Sequence, residues 1–333
     1  TPAERYAAAR TLRGLPRLRA FRDGLAIDLD PFQLAACQAL EEGRSVLVAA
    51  PTGAGKTIVA EFGVFLAMFE PKAKIFYTAP MKALSNQKYT ELVAEYGASE
   101  VGLLTGDTNI NASARIVVMT TEVLRNMLYA DSPLLTDLAY VVMDEVHYLA
   151  DRFRGAVWEE VIIHLPLAVR LISLSATVSN AEEFGDWLQA VRGDTDVIVS
   201  ETRPVPLTQH VLVRSKLLDL FDSSGQAATN RVNPELVQLA RAGGAKVHRG
   251  RGHHPKRWEK RSGRAGGFGG DEGRMDRAAI AGMLGARNLL PAIFFIFSRA
   301  GCDAAVRQLV RSGIRLTDQA ERDEIRAIVE ERC

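Results

Sequence analysis

A short glycine-containing segment, residues 50–57, constrains the fold of this chain more than any other feature. It reads Ala-Pro-Thr-Gly-Ala-Gly-Lys-Thr and follows the apolar run 45–49, which is typical of a buried parallel strand. The apolar stretch 58–69 that comes next is predicted to form a helix. A strand, a tight glycine loop and a helix are the context in which backbone N–H groups and a helix N-terminus bind phosphate. The segment therefore predicts a phosphate-binding loop.

The residues of this loop have separate expected roles. Lys56 is predicted to reach the β- and γ-phosphates of a nucleotide, and the Thr57 hydroxyl is a suitable ligand for Mg²⁺. Ala50 stands where the general pattern has its first glycine, so the match to that pattern is incomplete. A chance glycine-rich turn is the alternative. The remaining residues are expected to surround the phosphates: Thr52, Gly53, Ala54 and Gly55.

Composition narrows the class of protein without defining it. The chain has 333 residues, 47% of them hydrophobic and 24% charged, which predicts two or three globular domains with a sizeable core. A net charge of +1 argues neither for nor against a nucleic-acid partner. No apolar run approaches the roughly 20 residues of a membrane span, so no membrane partner is expected. Three widely spaced cysteines, Cys37, Cys302 and Cys333, favour neither disulfides nor zinc, and a reducing cytoplasm is expected.

Short apolar runs alternate with helical stretches from residue 45 to residue 200. This alternation predicts an α/β fold with a parallel sheet covered by helices, whose ligands bind at the carboxyl ends of the strands. Trp158 and Trp187 lie at helical spacing with apolar neighbours and are predicted to be core residues. The predicted strands cover residues 46–49, 74–79, 101–104, 116–119, 140–144, 171–175 and 197–199.

Adjacent carboxylates, Asp144 and Glu145, end one of these strands. An acid at this position, downstream of a phosphate loop, indicates a nucleotide hydrolase in which Asp144 and Thr57 hold Mg²⁺. Glu145 would orient or deprotonate the attacking water. A solvated boundary between strand and loop is the alternative.

A second feature precedes the loop. Asp30 and Pro31 are typical of a helix start, and the predicted helix runs to about residue 42. The side-chain amide of Gln33 can donate to and accept from adenine N7 and N6. A capping or surface role for Gln33 is an equal alternative.

The order of these motifs resembles that of superfamily 2 helicases. Residues 50–57, 144–147 and 175–177 are similar to motifs I, II and III, and Asp-Glu-Val-His indicates the DExH type. Five further segments resemble superkiller-type, exosome-assisting RNA helicases, and the actinobacterial HelY type is the most similar group. These segments are residues 30–33, 79–84, 104–107, 119–122 and 154–160.

The resemblance implies roles for individual residues. Gln33 would sense adenine, although Ile27 stands where this family often has an aromatic residue that packs on the base. His147 would link the nucleotide site to neighbouring motifs, with a packed polar residue as the alternative. Ser175 and Thr177 would couple hydrolysis to movement of the strand. Contacts with the nucleic-acid backbone are implied for Pro80, Lys82, Thr105, Gly106, Thr120, Thr121 and Arg299.

The resemblance and the composition together predict three segments. Residues 1–202 would form a RecA-like ATP-binding domain, and residues 203–274 a linker with a flexible insertion rich in glycine and arginine. That insertion is alternatively a tether that attracts RNA or DNA non-specifically. Residues 275–333 would begin a second RecA-like domain, with a strand in the apolar run 290–299 and a helix over 300–310.

The function implied is that of an ATP-dependent helicase, acting 3′ to 5′ on RNA with ATP and Mg²⁺. RNA-degradation machinery is the implied partner. The sequence contains no counterpart of motifs V and VI, so this chain alone is expected to bind nucleotide, to hydrolyse it weakly and not to unwind. The alternatives are a DNA helicase or translocase in repair and a non-catalytic RNA-binding scaffold.

Overall fold

A computed structural model describes residues 14–176, 181–213, 216–222, 231–244, 276–315 and 317–332. The chain divides into two compact units, Thr1–Pro206 and Leu207–Cys333. Helices of the first unit are α1 (Pro16–Asp23), α2 (Pro31–Glu41), α3 (Thr57–Phe69), α4 (Lys82–Tyr96), α5 (Thr121–Tyr129), α6 (Gly155–His164) and α7 (Ala181–Arg192). Its strands are β1 (Ser45–Ala49), β2 (Lys74–Ala79), β3 (Val101–Thr105), β4 (Thr108–Ile110), β5 (Ile116–Thr120), β6 (Leu138–Met143), β7 (Arg170–Ser175) and β8 (Thr195–Val199).

The eight strands form one sheet in the order β4-β3-β5-β2-β6-β7-β1-β8. All neighbours pair in parallel except β3 and β4, which are antiparallel. The seven strands predicted from the sequence are therefore confirmed. The three-residue edge strand β4 was not predicted, because Thr-Asn-Ile lacks the apolar run that marks the others. All carboxyl ends of the parallel strands lie at one edge of the sheet.

Helices cover both faces of the sheet, which explains why the central strands are apolar throughout. All five residues of β1 are buried, as are the last four of β6. One core cluster joins α2 and α3 to the sheet, and the other joins α5 and α6 to it. Trp158 of α6 is fully buried, as predicted, whereas Trp187 of α7 is partly buried against the second cluster.

The second unit contains smaller elements. Strands β9 (His210–Val213) and β10 (Lys216–Asp219) form an antiparallel pair. Its helices are α8 (Pro234–Gly244), α9 (Arg277–Ala286), α10 (Arg299–Ser312) and α11 (Gln319–Arg332). Helix α10 begins after Ser298, whose hydroxyl accepts a hydrogen bond from the Gly301 N–H at 3.1 Å. Most of the glycine- and arginine-rich segment, residues 245–275, lies outside the described residues.

The strand predicted within residues 290–299 is wrong. Residues 291–298 form no strand, and the side chains of Ile293, Phe295 and Phe297 are largely exposed. A strand requires a neighbouring strand to accept and donate its backbone hydrogen bonds, and no strand in the described part of the chain pairs with this run. Apolar composition alone therefore did not produce a strand here.

Among the described residues, no helix combines the length and apolar character that crossing a membrane requires.

Candidate functional site

The predicted phosphate loop lies between β1 and α3, and its backbone requires glycine. Gly53 and Gly55 have φ angles of +85° and +78°, a region that residues with a Cβ rarely adopt. A Cβ on Gly55 would also lie 2.8 Å from Nε2 of Gln33. Helix α3 begins at Thr57, so its N-terminus follows the loop directly. This is the arrangement in which a loop and a helix N-terminus bind an anion.

Gln33 connects the start of α2 to the loop. Its Oε1 accepts a hydrogen bond from the Asp30 N–H at 2.8 Å, which confirms the capping alternative. Its Nε2 donates to the carbonyl oxygens of Gly55 and Ala54 at 2.9 and 3.3 Å. The residue is only 4% exposed. Because the amide is already engaged on both sides, the contact with adenine stays a prediction that requires Gln33 to change partners.

Lys56 lies half-buried beneath the loop. Its Nζ donates to the carbonyl oxygens of Ala50 and Pro51 at 2.7 and 3.1 Å. Burial lowers the pKa of Lys56, while the negative charges of Glu145 and Asp144 act in the opposite direction. The ammonium is thus bonded to the loop and is attracted by the acids that end β6.

Asp144 is fixed by two hydrogen bonds at the end of β6. Its Oδ2 accepts from the Tyr77 hydroxyl at 2.8 Å, and its Oδ1 accepts from the Glu145 N–H at 2.9 Å. Burial and the charge of Asp144 raise the pKa of Tyr77 well above its usual value, so this hydroxyl stays a donor. Asp144 and Thr57 line the same cavity, which has a volume of about 290 Å³. The two predicted Mg²⁺ ligands are therefore brought together.

His147 connects Glu145 to the residue that follows β7. Glu145 has a φ of +53°, a left-handed conformation that is energetically unfavourable for residues other than glycine. This conformation turns the chain sharply after Asp144. Nδ1 of His147 lies 3.3 Å from Oε2 of Glu145 and 3.5 Å from the backbone N of Ala176. The imidazole of motif II therefore contacts the backbone of motif III. Such a position suits the linking role that the resemblance implies.

Ser175 ends β7 beside the loop. Its carbonyl oxygen accepts a hydrogen bond from the Ala50 N–H at 3.1 Å, whereas its buried hydroxyl has no hydrogen-bond partner among the described residues. Thr177, the other predicted coupling residue, lies outside the described residues.

Seven residues were predicted to contact the nucleic-acid backbone. Six of them lie at the carboxyl ends of β2, β3 and β5. Lys82 and Gly106 are exposed and Thr120 is half-buried, whereas the side chain of Thr121 is fully buried and cannot contact a strand. The strand order places these ends in one half of the sheet and β6, β7 and β1 in the other. The seventh, Arg299, begins α10 in the second unit.

Two residues to which the sequence analysis assigned no role, Arg154 and Asp107, bond the segments that follow β2, β3 and β5 to one another. Arg154 donates from Nη2 to the Pro80 carbonyl oxygen at 2.6 Å and from Nε to Oε1 of Glu122 at 3.1 Å. Asp107 accepts hydrogen bonds from Lys82 Nζ at 2.5 Å and from the Thr105 hydroxyl at 3.0 Å. These two bonds lower the pKa of Asp107, which keeps it ionised. Their place inside the motif segments was the only sequence signal for either residue.

Replacing Asp107 by asparagine is expected to strengthen binding of a single nucleic-acid strand. The change removes a negative charge that competes with phosphate for Lys82 and Thr105. We expect the slope of the logarithm of the association constant against the logarithm of the salt concentration to steepen by up to about 0.7. This is the value for one additional phosphate contact on a single strand. Fluorescence anisotropy over a salt series measures this slope. Asp194→Asn is the matched control, because this exposed acid precedes β8 at the opposite edge. An unchanged slope in Asp107→Asn would contradict the prediction.

A parallel sheet with a glycine loop before α3 and adjacent carboxylates after β6 defines a RecA-like, P-loop nucleotide-binding domain. Residues 30–184 match the model of the DEAD/DEAH box helicase family. The matched region contains both the glycine loop and the adjacent carboxylates Asp144 and Glu145.

Known helicases are similar to almost the whole chain. It is 55% identical over 324 residues to "Probable helicase HelY" of Mycobacterium tuberculosis, covering 96% of this chain and 34% of that protein. It is 40% identical over 305 residues to "ATP-dependent RNA helicase mtr4" of Schizosaccharomyces pombe, covering 90% and 26%. Identity to "DExH-box ATP-dependent RNA helicase DExH15 chloroplastic" of Arabidopsis thaliana is 38% over 320 residues, covering 89% and 27%. The chain thus spans about a third of these relatives or less.

Proposed function

We propose that this chain is the ATP-binding part of an ATP-dependent nucleic-acid helicase. One observation carries the proposal: a single sheet edge bears the glycine loop after β1, the adjacent carboxylates after β6, and polar, partly exposed groups after β2, β3 and β5. Because both sets stand on one hydrogen-bonded sheet, a change at the phosphates can reach the groups proposed to hold the nucleic-acid strand. Similarity to helicases over almost the whole chain supports the same function.

The nucleotide is proposed to be ATP, and its metal Mg²⁺. Thr57 and Asp144 offer a hydroxyl and a carboxylate to one cavity, and oxygen ligands are those that Mg²⁺ prefers. No group of three or more metal-binding side chains occurs in the described part of the chain. This fits Mg²⁺, which usually keeps water and phosphate oxygens as its other ligands and neutralises phosphate charge. Lys56 would hold the phosphates, and Glu145 would orient the attacking water or take its proton.

RNA is the proposed strand, moved 3′ to 5′, and RNA-degradation machinery the proposed partner. Two of the relatives are RNA helicases by name, and another similar protein is the human "Exosome RNA helicase MTR4". In the same proposal residues 1–202 form the ATP-binding domain, 203–274 a linker and 275–333 the start of a second RecA-like domain. A cytoplasmic location is part of this proposal. No contact among the described residues favours a DNA helicase or a non-catalytic scaffold over an RNA helicase.

The proposal is tested with two binding measurements on residues 1–333. A fluorescent ATP analogue is expected to bind in a Mg²⁺-dependent manner, and Asp144→Asn is expected to remove that dependence. Labelled single-stranded RNA is expected to bind more tightly than DNA of the same sequence at the same salt concentration. Tighter binding of DNA would favour the repair helicase or translocase. Absence of nucleotide binding would refute the proposed function.

A further inference from the structure

We propose that Phe153 is a stacking contact for a base of the single strand bound at this sheet edge. The proposal rests on the proposed function, because it requires a nucleic-acid strand to lie along the carboxyl ends of β2 and β5. It adds a contact with bases to a surface whose other groups suit phosphate and sugar.

The Phe153 ring is exposed and its backbone is fixed. The side chain is 94% exposed. Oδ1 of Asp151 accepts hydrogen bonds from the N–H groups of Phe153 and Arg154, each at 2.9 Å, and these bonds lower the pKa of Asp151. The Gly155 N–H donates to the Asp151 carbonyl oxygen at 2.9 Å. A Cβ on Gly155 would lie 2.1 Å from the Leu149 carbonyl oxygen, so this tight turn requires glycine.

The neighbouring Arg154 ties this turn to the proposed strand-binding edge. Its guanidinium bonds both the Pro80 carbonyl oxygen, beyond β2, and the Glu122 carboxylate in α5, beyond β5. It also lies over the Trp158 ring, 5.4 Å from the ring centre, which anchors it to the core. Phe153 is therefore one residue away from a side chain that spans the ends of two strands. The turn cannot move freely relative to that edge.

The chemistry around the ring favours nucleic acid as its partner. Arg152 precedes Phe153, is exposed, and forms no ion pair within the described part of the chain. An exposed aromatic ring beside a free cation offers stacking to a base and attraction to its phosphate. Stacking tolerates any sequence, because every base presents a flat π-face. This complements the backbone contacts proposed for Lys82 and Thr105, which position a strand without reading it.

The test separates base contacts from backbone contacts. Residues 1–333 are titrated with a single-stranded RNA and with an abasic strand of the same length and charge. Phe153→Ala is expected to weaken binding of the base-bearing strand at least about fivefold, as loss of one stacked base does, and to leave abasic binding unchanged. Phe153→Trp is expected to retain wild-type affinity. Leu167→Ala is the control, because Leu167 is also exposed but precedes β7 at the opposite edge.

Each outcome decides the inference. Equal weakening for both strands would overturn it, because the effect would then not involve bases. Unchanged binding of both strands by Phe153→Ala would also overturn it, leaving the proposed function intact and a protein surface as the partner of this ring. If the wild-type chain bound neither strand, the strand-binding part of the proposed function would fail together with the inference. Thermal unfolding of the variants serves as the folding control.

Discussion

Replacing Lys56 by alanine is expected to weaken ATP binding by about 10- to 150-fold. The Lys56 ammonium is already held at the loop by the carbonyl oxygens of Ala50 and Pro51, so it can turn to a phosphate with little rearrangement. A hydrogen bond to a charged group contributes about 1.5–3 kcal/mol, and each 1.4 kcal/mol is a factor of ten in affinity. The acids at the end of β6 favour the charged form of Lys56, although burial lowers its pKa.

Titration with a fluorescent ATP analogue measures this effect on residues 1–333. Lys72→Ala is the matched control, because Lys72 is exposed between α3 and β2 at the opposite edge of the sheet. Lys72→Ala should bind as tightly as the wild type. If Lys56→Ala did so too, the nucleotide would not use this loop.

Much of the first unit could be predicted because its signals are local. Each central strand is a continuous apolar run, and the glycine loop follows directly from the strand before it. The phosphate loop and the Asp144–Glu145 pair could therefore be predicted from residues that are adjacent in the sequence. The common edge followed from the rule that parallel strands place their carboxyl ends together.

The rest depended on contacts between residues far apart in the chain. Gln33 reaches the loop across 22 residues, and Arg154 reaches Pro80 across 74. No pattern of a few residues encodes such pairs. The apolar run 290–299 failed for the same reason, because strand formation depends on a partner strand and not on composition. Local patterns thus identified the elements, while distant partners decided what individual side chains do.

Replacing Trp158 by alanine is expected to destabilise the first unit by about 3–5 kcal/mol, the usual cost of truncating a large buried aromatic residue. Trp158 is the largest fully buried side chain in the described part of the chain, and Tyr148 stacks on it at 5.9 Å between ring centres. Arg154 lies over the same ring, so loss of the Trp158 ring also loosens the turn that carries Phe153. Urea denaturation followed by circular dichroism measures the change in the free energy of unfolding.

Trp158→Phe should cost clearly less than Trp158→Ala. The indole N–H of Trp158 is buried and has no hydrogen-bond partner in the described part of the chain, and an unpaired buried donor costs about 1–3 kcal/mol. Phenylalanine removes that donor and keeps an aromatic face for Arg154, although it leaves a small cavity. Trp187→Ala is the second comparison and should destabilise less than Trp158→Ala, because Trp187 is only partly buried. Equal losses in Trp158→Phe and Trp158→Ala would mean that the indole N–H does have a partner, and that the polar contact outweighs ring packing at this position.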